Sequence, residues 1–144
     1  MLRYELSFFY FCLLAVSSVH GDDAKTFTGD WEVAGAIIEG NEVPVDFNKM
    51  MQIKMRGNRY LTSRLGEVVD EGTFALQPKE SPAKIVITGV KGENAGMKFR
   101  GIYRLDGEDK LTICYALDGK AFPEKFDGKP PGMVLITYSR RKTK

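Results

Sequence analysis

From residue 40 onward, turn residues punctuate this sequence at short and regular intervals. They fall at Gly40-Asn41, Gly57-Asn58, Gly66, 78–82, 91–96, Gly107, Asp118-Gly119 and Pro130-Pro131-Gly132. Between them lie short runs rich in Val, Ile, Tyr, Phe and Thr. Such spacing leaves no room for long helices and predicts an all-β sandwich or barrel. The runs place eight strands at 31–39, 52–56, 59–65, 68–77, 84–90, 97–105, 110–116 and 133–140. Several alternate cleanly. Met51, Ile53 and Met55 alternate with Gln52, Lys54 and Arg56, and Leu111, Ile113 and Tyr115 alternate with Thr112 and Cys114. Period two means one buried face and one wet face, as in an antiparallel sheet. Gly57-Asn58 and Gly107 sit where consecutive strands would join as tight hairpins. Eight strands paired in sequence order can close into an antiparallel up-and-down β-barrel and so lose their exposed edges. One short helix is expected at 45–50, after Pro44 and capped by Asp46, where it could close one end of the barrel. The irregular stretch 117–133 carries Phe122 and Phe126 and should pack over something.

The N-terminus reads differently. Arg3 precedes an apolar run over 7–16, and small residues then lead to His20-Gly21. This is the pattern of a cleaved signal peptide at 1–21, with cleavage after Ser18 as the alternative. The remaining domain is 22–144, and its location would be secreted or periplasmic. Cys12 follows Phe9-Tyr10-Phe11, with no small residue beside it, so no lipid anchor is expected. Cleavage removes Cys12 and His20. The mature chain then has no histidine and one thiol, Cys114. That excludes an internal disulfide, histidine-dependent triads and Cys/His zinc sites. The formal charge of the 144-residue chain is only +2, with signs mixed along it, which argues against nucleic acid as a partner.

Two sets of residues carry a resemblance. Gly29-Asp30-Trp31 at the start of the first strand resembles the lipocalin signature. That resemblance implies that Trp31 closes one end of the barrel against a basic residue near the last strand, Arg140 or Arg141. The second set is Gly72 to Pro78, Pro82 to Ile85, Gly101 to Gly107 and Leu111 to Ala116, with further matches at Gly40 to Pro44 and Gly119 to Phe126. It resembles the uncharacterised lipocalin-like domain found in many secreted planctomycete proteins, over nearly all of the mature chain. Phe122-Pro123 departs from the Arg-Pro of that pattern. The resemblance implies a secreted single-domain β-barrel and no particular activity.

The candidate chemistry is sparse. Cys114 lies on the strand face opposite Leu111, Ile113 and Tyr115 and reads as a small buried hydrophobe beneath a loop. Asp70 and Glu71 are adjacent in a strand, point to opposite faces and would not act together. Glu108-Asp109 belongs to a solvated turn. Arg59, Arg64, Lys98, Arg100 and Arg104 suit a charged outer face with partners such as Glu32 and Glu71. The expected interior includes Met51, Ile53, Leu76, Met97, Ile113 and Ile136. Its candidate ligand-binding set is Met55, Tyr60, Phe74, Phe99, Tyr103, Tyr115 and Tyr138. Gly29, Trp31 and Arg140 are the structural candidates. A barrel of eight strands is just wide enough to be filled by its own side chains or to hold one small ligand. The many large inward residues favour filling. Two functions follow. One is a barrel that binds a small apolar or amphipathic molecule. The other is a solid-core interaction module of the cell envelope. Nothing in the pattern suggests an enzyme, a metal or a cofactor.

Overall fold

The computed structural model describes residues 23–142. The expected signal peptide at 1–21 lies outside the described residues. In chain order the elements are α1 (Asp23–Phe27), β1 (Gly29–Ile38), β2 (Asn41–Glu42), α2 (Val45–Lys49), β3 (Met51–Arg56) and β4 (Arg59–Arg64). Then follow β5 (Glu67–Gln77), β6 (Lys84–Gly92), β7 (Lys98–Asp106), β8 (Lys110–Ala116) and β9 (Met133–Arg140). Strands β1 and β3 to β9 form a closed eight-stranded antiparallel barrel in which each pairs with the next. Closure comes from β1 and β9, which pair from Trp31↔Arg140 to Ile38↔Val134. The two-residue β2 only extends the end of β1.

Local chemistry explains the connections. Gly57 has φ +59°, so Gly57-Asn58 makes a two-residue loop between the paired Arg56 and Arg59. The β4–β5 hairpin turns on Leu65-Gly66, with φ +52° and +82°, the positive pair that a type I′ turn requires. Register shifts after Val33, between Thr62 and Ser63, and between Glu71 and Gly72 insert extra residues. Such bulges sharpen strand curvature and help a sheet close.

The two ends of the barrel differ. At the end where β1 starts and β9 finishes, α1 places Phe27 in the lumen with no exposed surface. Phe27 stacks on Phe74 at 5.6 Å and meets Tyr103 edge-on at 5.0 Å. Trp31 lies beside them, also fully buried, and donates from Nε1 to the Phe27 carbonyl at 2.9 Å. This is a solid floor.

Three expectations need correcting. The helix that seals an end is α1. Helix α2 instead flanks the outside of the sheet, where Val45 and Asn48 border a hollow with Gly35, Ile37, Leu135 and Thr137. The N-cap of α2 is Pro44, not Asp46, and no side chain caps it. Met97 is not interior: it is 43% exposed, because its N–H closes the turn onto the Asn94 carbonyl at 3.0 Å and β7 begins one residue later.

The segment 117–132 wraps the outer face of β6, β7 and β8. Lys84 Nζ lies 4.8 Å from the Phe122 ring, and the Arg104 guanidinium lies 4.8 Å from the Phe126 ring. Arg100 donates to the Gly119 carbonyl. Beneath this segment Ile102 and Cys114 have no exposed surface although they point outward. The Cys114 Sγ is 3.6 Å from the Asp127 carbonyl, and burial pushes its thiol above the ordinary range. That is the setting of an inert packing residue.

Candidate functional site

Above the floor the barrel is not full. A cavity of about 180 Å³ occupies the half nearest the ends of β4 and β6. The filling expected from the many large inward residues therefore holds at the floor and fails above it. The reason lies in β5. Its inward positions run Leu76, Phe74, Gly72, Asp70, so bulk falls away towards the open end.

Gly72 has a second consequence. It pairs directly with Tyr60 across β4 and β5. A Cβ there would stand 2.7 Å from Tyr60 Cε1 and 2.8 Å from its hydroxyl. Without one, the Tyr60 ring lies over the glycine and its hydroxyl reaches the next inward residue. It donates to Asp70 Oδ2 at 3.1 Å. Asn94, from the turn after β6, donates to the same oxygen at 2.9 Å. Asp70 is only 6% exposed, and its other oxygen, Oδ1, is buried with no hydrogen-bond partner. A buried acceptor left in that state carries a desolvation cost of about 1–3 kcal/mol.

The phenols around the cavity are held neutral. Burial, and then the Asp70 carboxylate, pushes the Tyr60 hydroxyl far above its ordinary value. Burial, again with Asp70, moves Tyr115 up to about 12. Burial also raises Tyr138, with Tyr115 and Tyr60 adding to the effect. At neutral pH these rings therefore offer hydroxyl groups, not phenolates.

The other acid of the lining is Glu93, at the rim. Arg64 grips it with two bonds, Nη1 to Oε1 at 3.2 Å and Nη2 to Oε2 at 3.3 Å. No Lys, Arg or His lines the cavity among the described residues. Leu65 in the β4–β5 turn and Met97 just before β7 are exposed apolar residues at this end of the barrel.

Six of the seven candidates, Met55, Tyr60, Phe74, Phe99, Tyr115 and Tyr138, line this cavity. Tyr103 does not. It points inward but sits in the floor against Phe27, where its hydroxyl donates to Asp23 Oδ2 at 2.6 Å. Asn94 was missed, and Asp70 was weighed only as a partner for Glu71 and set aside. Strand parity with Phe74 was the available signal for Asp70. Asn94 reaches in from a turn and leaves no periodic mark. Glu32 and Glu71 enter no ion pair among the described residues. The salt bridges are instead Arg56–Asp30, Arg64–Glu93, Arg104–Asp106 and Arg140–Asp109.

At the floor, the guanidinium of Arg140 lies 4.3 Å from the Trp31 ring. It also donates to the carbonyls of Thr28 at 2.9 Å, Thr26 at 2.6 Å and Glu108 at 2.8 Å. A Cβ on Gly29 would stand 2.3 Å from Arg140 Nη1, so the glycine of the Gly-x-Trp run makes room for this contact. Among the described residues no group of three or more His, Cys, Asp and Glu side chains could hold a metal ion. The closed antiparallel barrel is compatible with a lipocalin-like fold. Comparison with known proteins returns no matching family model and no match among curated proteins.

Proposed function

We propose that this chain is a secreted, lipocalin-like binding protein that holds one small, mainly apolar molecule in the upper half of its barrel. The carrying observation is the cavity of about 180 Å³, lined mainly by Met, Ile, Phe and Tyr. An apolar cavity of about 150 Å³ in another protein binds benzene, so the volume suits a ligand of one ring or a short chain. Larger lipids would not fit without repacking. The sequence of 1–21 supports passage through a membrane, and the resemblance to the lipocalin-like domain of secreted planctomycete proteins supports the same setting. We read the protein as a binder and not as a catalyst. Cys114 is sealed under a loop, and the interior carries one acid with no partnered base.

A thermal-shift screen with one-ring and short-chain apolar compounds tests this reading. Ligands that bind only the native state raise Tm in proportion to RT ln(1 + [L]/Kd). Uniformly null shifts would leave the second reading, an interaction module of the cell envelope.

A further inference from the structure

We propose that the ligand carries an ammonium group, and that Asp70 receives it. The inference rests on the reading of the cavity as a ligand site and names the chemistry of its polar end. Asp70 accepts two hydrogen bonds on Oδ2 and none on Oδ1. An acid kept only to anchor the Asn94 turn would be expected to offer both oxygens to protein donors, because a buried carboxylate left half satisfied is costly. Here Tyr60 and Asn94 both bond to Oδ2, and Oδ1 of this cavity-lining acid is left without a protein donor.

The surroundings specify what that is. The lining contains two acids and no base, and Glu93 is already held by Arg64. A carboxylate ligand would meet like charge with no counter-ion. An ammonium would meet Asp70 and the aromatic rings of Tyr60, Phe99, Tyr115 and Tyr138, all of which border the same space. Aromatic faces beside a carboxylate favour a cation by cation–π attraction as well as by charge. The free Oδ1 requires a donor hydrogen, which selects a primary or secondary amine over a quaternary one. The size of the space limits the rest of the molecule to about one ring or a short alkyl chain.

Benzylamine, benzyl alcohol, N-acetylbenzylamine and benzoate share one ring and differ at the polar end, so titration calorimetry of the purified protein against each is decisive. Benzylamine should bind at least about tenfold more tightly than benzyl alcohol or the acetylated amine, the ratio expected for a charge-assisted hydrogen bond, and benzoate should not bind. Asp70→Asn should abolish the preference for the amine and leave the alcohol bound. Tyr60→Phe, which keeps the carboxylate, should retain the preference. If the alcohol binds as well as the amine, or if the preference survives in Asp70→Asn, the ammonium assignment is wrong while the cavity remains a ligand site. If none of the four binds, the ligand reading falls and the assignment with it. The four compounds on the unmodified protein suffice even where Asp70→Asn does not fold.

Discussion

Arg140 shows how much one side chain can hold at a barrel end. Its guanidinium covers Trp31 and bonds to carbonyls from three separate places: the end of α1, the residue before β1, and the β7–β8 loop. Only a planar fork reaches all of them, since a lysine ammonium is a point donor on a flexible stem. Arg140→Lys should therefore lower stability by about 2–3 kcal/mol, the scale of losing charged hydrogen bonds and part of the cation–π contact. Urea denaturation followed by Trp31 fluorescence measures it, and an unchanged midpoint would refute the clamp. The Gly-x-Trp run pointed to Trp31 with Arg140 or Arg141 as its partner, and Arg140 was the structural candidate. Register decides between them: Trp31 pairs with Arg140, while the Arg141 side chain donates to Gln52.

Among the elements, the β4–β5 hairpin carries visible strain. Leu65 stands at φ +52° and is 73% exposed, so it occupies left-handed backbone without a packing reward. Residues other than Gly, Asn and Asp are unfavourable there by about 1–2 kcal/mol. Leu65→Asn should stabilise the protein by about 0.5–1 kcal/mol, read as a higher chemical-denaturation midpoint. If ligand affinity falls at the same time, the exposed leucine belongs to the mouth of the cavity. The strands were legible because most alternate and are bounded within a few residues by a glycine or proline. β8 and β9 begin and end where the alternation placed them. α1 was not legible: five residues give no period, and its value lies in one tertiary contact, Phe27 in the floor. Tyr103 and Tyr115 share the inward parity of one barrel, yet one is floor and the other cavity wall. Parity assigns a face and says nothing about height along the axis. The residues of the site that come from turns, Glu93 and Asn94, lie outside any alternation.

Across the whole molecule, four inward-facing tyrosines, three buried and Tyr115 half-buried, couple the fold to alkaline pH. Tyr60, Tyr103, Tyr115 and Tyr138 all have hydroxyls raised by burial, Tyr115 to about 12. Their folded values exceed the ordinary 10, so the folded state holds these protons more tightly than the unfolded chain. The resulting stability is complete below about pH 10 and is lost as pH rises through the folded values. Tyrosinate absorbance from these four should stay absent at pH values where free tyrosine ionises, then appear together with loss of the near-ultraviolet dichroism of the fold. Ionisation near the ordinary value with the fold intact would contradict their burial.

The same polarity of the barrel also decides how it can be attached to other things. Asp23 is tied to Tyr103, and the Arg141 amide is tied to the Asp30 carbonyl. Both ends of the described chain thus leave the molecule at its sealed base, opposite the mouth. A surface, resin or fused domain joined through either end would present the protein as an upright cup, with the entrance facing outward.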